Sequence, residues 1–278
     1  MNDQAASLRA AAGVRAPRAA CPVPTFVVGS GKGGVGKSVL AVLLGAALAA
    51  RGKRVLLFDG SQNQGNLHIL MGVHPAPRLE ALLTGAAQPA DLLIEVRERL
   101  WLLPADSGTE ALHALGPTDR ARLHLRLSGL YDGFDAVVVD SGPGVEGVVR
   151  AAATRASRLV AVAVPEPASL SDVYATIKLV HLQAPALPID VLVNRVFDDA
   201  EGAATHERLQ VAARRFLHRD LGYLGAVPED QTLRLAARHP AALLDATCDA
   251  MPGIAERLLE LERLPDAVPA SPGEVAAA

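Results

Sequence analysis

Within residues 31–38, GKGGVGKS, the chain places four glycines, two lysines and a serine. The spacing fits G-x-x-x-x-G-K-[ST]. The run follows an apolar, β-branched segment, TFVVGS at 25–30, and precedes a long Leu- and Ala-rich one. Gly31, Gly33, Gly34 and Gly36 let the backbone curl until successive N–H groups point at one anion. A helix that starts where the run ends adds its positive pole. The backbone from Gly31 through Lys32, Gly33, Gly34 and Val35 to Gly36 therefore forms the expected phosphate cradle. Lys37 supplies a cation for β- and γ-phosphates, and Ser38 a hydroxyl for Mg2+. Lys32 sits just after the first glycine, where the loop turns away from its own cradle. It could reach the phosphates of a neighbouring copy.

A second polar stretch follows the apolar run RVLLF. Residues 58–66 read FDGSQNQGN, with one acid, Asp59, then Ser61 and four side-chain amides. A polar loop directly after a buried strand is a common place for a ligand.

KGGVGKS with its early lysine resembles the deviant P-loop ATPases that include MinD and the ParA partition proteins. The resemblance spans roughly residues 24–245. It implies a MinD-type P-loop fold, ATP/ADP and Mg2+ as cofactors, and a homodimer that forms on ATP with Lys32 as the crossing lysine. In that family one strand ends in Asp-x-Asp and a later one in Asp-x-x-x-Gly. Asp140-Ser-Gly-Pro-Gly144 meets the second pattern, so Asp140 is the acid expected to hold Mg2+ through water. The 140–147 turn is then the expected γ-phosphate sensor. Asp59 matches the leading acid of the first pattern, which implies a metal and catalytic role beside Ser38. Ser61 falls where the family's second acid orients or activates water. A hydroxyl has neither the charge nor the basicity of a carboxylate. General acid–base assistance is worth roughly 10²–10⁴-fold, about 3–5 kcal/mol of barrier. The resemblance thus implies intact binding with slow hydrolysis. The alternative is that Gln62 or Gln64 positions the water, as a glutamine does in Ras-type enzymes.

Three stretches resemble the flagellar-regulator branch called FlhG, FleN or YlxH. They are PEPASLSDVYATIKLV (165–180), LVNRV (192–196) with FLHRDLGYLGAVPED (216–230), and DQAASLR (3–9). In relatives the Asn-Arg pair lies beside the adenine, so Asn194 and Arg195 are the adenine candidates. The amide of Asn194 can accept from the base amino group and donate to a ring nitrogen. The N-terminal DQAxxLR arm implies activation of the GTPase FlhF. Asp3 can cap a short helix, Leu8 offers an apolar anchor, and Gln4 and Arg9 offer polar fingers. Gln4 is the residue expected to reach toward the partner's nucleotide. Such an arm is expected to be disordered alone and to fold on its partner. The branch implies control of flagellar number or placement, with flagellar ring or transcription regulators as further partners.

Competing functions carry weaker signals. The formal charge of −3 gives no global basic field, and no sequence-specific nucleic-acid partner is expected. A ParA-type DNA surface would need Arg208, Arg214, Arg215 and Arg219. Membrane association would need the helix GIAERLLELERL at 253–264. Its apolar stripe, Ile254, Leu258, Leu261 and Leu264, is backed by Glu256, Glu260 and Glu262 against Arg257 and Arg263. That net acidic face lacks attraction to anionic lipid. Cys21 and Cys248 do not pair as a cluster site needs and read as reduced thiols. The longest apolar run, 39–50, fits a buried helix. The N-terminus shows no charged segment followed by an apolar one, so it is not expected to act as a secretory signal. The expected location is the cytoplasm, with the inner face of the cell membrane as the peripheral alternative.

Apolar runs at 25–30, 54–60, 100–106, 135–141, 158–165, 189–196 and 221–230 alternate with helical patterns, among them 169–183 and 253–263. Continuous apolar strands joined by long crossovers predict an α/β fold with a mainly parallel central sheet flanked by helices. The expected organisation is a flexible arm (1–23), one nucleotide-binding domain (24–264) and a disordered Pro/Ala tail (265–278).

Overall fold

The computed structural model describes residues 23–60, 65–74, 81–82, 85–104, 129–142, 144–154, 156–239 and 241–263. The expected arm with Asp3, Gln4, Leu8 and Arg9 lies outside the described residues. So do Cys21, Ser61, Gln62, Gln64, Leu264 and the tail.

The described residues hold eight strands: β1 (Thr25–Gly29), β2 (Val55–Asp59), β3 (Ile94–Arg97), β4 (Leu100–Leu103), β5 (Ala136–Asp140), β6 (Arg158–Ala163), β7 (Ile189–Val196) and β8 (Gly222–Pro228). They form one sheet in the order β3-β4-β2-β5-β1-β6-β7-β8. Every neighbouring pair is parallel except the edge pair β3–β4. β3 is an addition to the expected strands. It has only four residues, and they alternate between half-buried and exposed. The central strands β1, β5 and β6 are buried at every residue, as strands covered on both faces must be.

The described helices are α1 (Lys37–Ala50), α2 (Leu67–Leu70), α3 (Val145–Thr154), α4 (Pro167–Gln183), α5 (Asp199–Leu217), α6 (Gln231–Ala236), α7 (Ala242–Asp245) and α8 (Ala250–Arg263). Side chains alternate across each strand, and the alternation sorts the core into two layers. Val27, Val137 and Val193 face Val148 of α3, Ile177 of α4 and Leu209 of α5. Phe26, Val28, Val138 and Leu192 face Leu44 of α1, Leu233 of α6 and Leu258 of α8. α4 starts two residues before the expected 169, because Pro167 stands at its N-terminus, where a missing N–H costs nothing.

α8 closes the second layer. Met251, Ile254, Ala255 and Leu258 are buried, and the helix packs on α1 and β8. Two of its acids have partners in the body of the domain: Glu256 with Arg51 at 2.9 Å and Glu262 with Arg158 at 3.2 Å. Of the apolar stripe that a membrane-lying helix would present, Ile254 and Leu258 are covered by the core and Leu261 is partly so. No described helix is long and apolar enough to cross a membrane.

Candidate functional site

The adjacent strands β2, β5 and β1 run parallel and end together. β2 ends in Asp59 and β5 in Asp140, which are register partners. β1 ends in Gly29 and opens the loop to α1. Ligands of open α/β sheets bind at such carboxyl ends. Gly36 caps α1 without any side-chain hydrogen bond, and the first turn of α1 holds no acid. The positive pole of a helix of 14 residues therefore faces the loop unopposed.

Lys37 is only 7% exposed. Burial pushes its ammonium pKa down, and the nearby Asp140 carboxylate opposes that shift. Burial pushes the Asp140 carboxyl up. A hydrogen bond from Ser38, the charge of Lys37 and the Gly142 N–H pull it the other way. Asp140 Oδ1 is buried and meets no hydrogen-bond donor among the described residues. A buried anionic oxygen left this way is costly unless a cation joins it. Ser38 and Asp140 thus fit a divalent cation, and the loop with Lys37 fits a polyphosphate. Asp59 is buried too. Its Oδ2 accepts from Leu67 N at 3.1 Å, which clamps the end of β2 to the start of α2 across residues 61–64.

The two lysines of the loop diverge. Lys37 lies inside the cradle, while Lys32 stays half-exposed on the rim. Lys32 Nζ lies 2.8 Å from Glu166 Oε2 at the start of α4. The loop also leans on α4 directly. A Cβ on Gly31 would stand 2.3 Å from the Asp172 carbonyl oxygen, so only glycine fits there. Gly33 and Gly34 face open space.

The far side of the loop is fastened by Asn194, whose Nδ2 donates to the Val35 carbonyl at 2.8 Å. One of the two N–H donors of the amide is thereby engaged within the protein. Asn194 lines a pocket of about 280 Å³ together with Gly36, Leu40, Arg195, Pro228 and Arg234. Arg195 is exposed, with φ of 58°. Its Nε lies 3.7 Å from Glu229, which also accepts from Arg234 at 3.1 Å. The structure thus groups Gly31, Lys32, Gly33, Gly34, Val35, Gly36, Lys37, Ser38, Asp59, Asp140, Asn194 and Arg195 around one crevice. It adds Glu166, Pro228, Glu229 and Arg234, which sequence reasoning passed over. Their signals were in view, in PEP at 165–167 and VPED at 227–230, but they served only to mark lineage.

The arginines that a DNA surface would need are largely engaged at home. Arg214 pairs with Asp220 at 2.6 Å. Arg219 donates to the carbonyls of Pro185 and Leu187, and Arg215 lies over the Phe216 ring. Burial pushes the half-buried Cys248 thiol up, away from metal-binding thiolate character.

A family model, the CobQ/CobB/MinD/ParA nucleotide binding domain, matches residues 26–241. The antiactivator FleN of Pseudomonas aeruginosa is 33% identical over 225 residues, covering 81% of this chain and 80% of FleN. The flagellum site-determining protein YlxH of Helicobacter pylori is 30% identical over 243 residues, covering 86% and 82%. The crystal structure of the cell division ATPase MinD from Pyrococcus furiosus superposes with a TM-score of 0.69 at 24% identity. That match covers 86% of this chain and 99% of that one, a likeness of fold.

Proposed function

The chain belongs to the CobQ/CobB/MinD/ParA family of nucleotide-binding proteins, and on that premise we propose that it is an ATP-gated dimerising switch regulating flagellar number or placement. The observation that carries the switch is the divergence of the two loop lysines. Lys37 is sunk in the cradle, whereas Lys32 is held on the rim by Glu166. A cation on the rim adds little to its own cradle, but it is presented to a second copy. When two copies face each other, each Lys32 neutralises phosphate charge in the other site.

The remaining residues divide the work. The backbone of 31–36, the start of α1 and Lys37 orient the phosphate chain. Ser38 and Asp140 would hold Mg2+, with Asp59 beside them. When bound, the ion would supply charge neutralisation for the phosphate chain. Asn194 Oδ1 accepts from the adenine amino group at the pocket wall, and Arg195 lies next to it. Similarity to the FleN antiactivator and to the YlxH site-determining protein supports the flagellar assignment. The DQAASLR arm acts on the GTPase FlhF. The protein works in the cytoplasm.

Sedimentation with a non-hydrolysable ATP analogue tests the switch. The intact chain should dimerise, and Lys32→Ala should bind nucleotide yet stay monomeric. A chain that remains monomeric at saturating nucleotide, or a Lys32→Ala variant that pairs equally well, overturns it. The arm is tested separately, with FlhF pull-down and its GTP hydrolysis rate measured for the intact chain and for one lacking residues 1–20. Equal stimulation by both dismisses the arm. Ser61 favours a second reading, in which the chain binds ATP and signals without hydrolysing it.

A further inference from the structure

Asn194 does something in this fold that reading a base does not require. It lies near the end of β7, where the pairing to β8 slips. Asn194 faces Val227, yet Val196 faces Pro228, so two residues of β7 oppose one of β8. The extra residue is Arg195, at φ of 58°. A non-glycine residue in the left-handed region persists only where its surroundings enforce it. A bulge of this kind re-aims the side chains around it. Val193 and Val196 then both face the α3–α4–α5 layer. Asn194 keeps the side it shares with Leu192, toward the phosphate loop, and is 8% exposed.

There its Nδ2 donates to the Val35 carbonyl at 2.8 Å, between residues 159 apart in sequence. Val35 is itself buried in the second core layer. The next residue, Gly36, has φ of 93°, and a Cβ on it would stand 2.5 Å from Asn194 Nδ2. The Val35–Gly36 turn is therefore held from three sides: by the Val35 side chain in the core, by left-handed backbone at Gly36, and by the Asn194 amide. Removing the amide would leave a buried carbonyl without its donor, which is more costly than losing an exposed hydrogen bond.

We propose that Asn194 is a positioning residue of the phosphate loop, fixing the Val35–Gly36 turn so that the cradle is formed before any phosphate arrives. The inference rests on the nucleotide site of the preceding subsection, but on neither dimerisation nor hydrolysis. A loop that is only fractionally in its binding geometry binds more weakly by that fraction. The loss should therefore extend to a polyphosphate that carries no base. A residue that only reads adenine would show the opposite pattern.

Wild type, Asn194→Ala and the isosteric Asn194→Asp, which places an acceptor against the Val35 carbonyl, are compared by calorimetry with Mg2+ and either ADP or inorganic tripolyphosphate. Amide hydrogen exchange over 33–38 is measured on the same ligand-free proteins, with urea unfolding as a check on global stability. Both variants should lose roughly tenfold in affinity for both ligands. They should also exchange faster within the loop, while peptides of β1 and β6 are unaffected. Loss of ADP affinity alone, with unchanged tripolyphosphate binding or unchanged loop exchange, makes Asn194 a base reader and overturns the proposal. If the wild type binds neither ligand, the nucleotide site itself fails. The exchange comparison still decides whether Asn194 holds the loop. Should Asn194→Ala fail to fold, Asn194→Asp carries the comparison, because it keeps the side-chain volume.

Discussion

Lys32 Nζ and Glu166 Oε2 stand 2.8 Å apart, joining the phosphate loop to the start of α4 across 134 residues of sequence. Both side chains remain substantially exposed, and an exposed ion pair is worth little. The contact can therefore park the lysine without trapping it. On the proposed switch, Glu166 competes with the second copy for Lys32. Glu166→Gln should tighten analogue-dependent dimerisation by roughly two- to fivefold, as read by sedimentation equilibrium. Weaker dimerisation would show that Glu166 serves the dimer instead. The hydrogen bond and charge of Lys32, with Arg195 further off, hold the Glu166 carboxyl below its ordinary value of 4.5. A depressed carboxyl contributes above the ordinary value, and its contribution fades as pH falls through the depressed one. The effect of Glu166→Gln should therefore be constant between about pH 6 and 8.

Asp140 pairs an orphaned buried oxygen with a carboxyl that burial pushes up. In the ligand-free protein its charge is a liability, eased by Ser38 and Lys37 but not removed. Asp140→Asn keeps the shape and an acceptor for the Ser38 hydroxyl while deleting the charge. Its melting temperature without ligand should equal or exceed that of the wild type. Its stabilisation by ADP should lose most of its dependence on Mg2+, with Mg2+-dependent affinity reduced about tenfold or more. Thermal melts with and without Mg2+ and ADP check both parts. An unchanged Mg2+ response would remove Asp140 from the metal site.

Local pattern carried far in this chain. The continuous apolar runs around Val27, Val138 and Val160 declared strands buried on both faces, and the glycine-lysine run declared its own loop. β3 was missed because IEVR is short, half-polar and antiparallel, paired with β4 and packed on the core only through Ile94 and Val96 among the described residues. Glu166 and Glu229 were passed over for a different reason. Each meets its cations across the fold, Lys32 and Arg234 among them, and nothing in the local sequence records such a meeting. Asn194 shows both sides. Its residue type pointed to hydrogen bonding in the crevice. Its partner, the Val35 carbonyl, lies 159 residues away in sequence and became visible only in the fold.

The C-terminal helix offers a clean contrast between packing and lipid. Leu258 is fully buried between α8 and the second core layer. Leu258→Ala should cost about 2–5 kcal/mol of unfolding free energy, measured by urea denaturation. Vesicles of anionic lipid should not sediment the wild type with ATP, because Ile254 and Leu258 are already covered by the core and Glu256 and Glu262 pair with arginines. Co-sedimentation that Leu258→Ala abolishes without loss of stability would show that the helix leaves the core for the bilayer.

On the proposed switch, hydrolysis should turn on the residue two places after Asp59. Asp59 is buried, and its bond from Leu67 N ties the ends of the intervening stretch together. A carboxylate at 61 would stand close in sequence to Asp59, whose register partner is Asp140. Like charges at close range raise a carboxyl pKa toward the working pH, which suits a general base. The serine that is present there has no such capacity. Ser61→Asp should raise the single-turnover rate of ATP hydrolysis by roughly 10²-fold or more, with nucleotide affinity changed little because the cradle and Lys37 are untouched. A wild type that already turns over as fast as Ser61→Asp would shift the role to Gln62 or Gln64. In that case Gln62→Ala or Gln64→Ala, rather than Ser61→Asp, should change the rate.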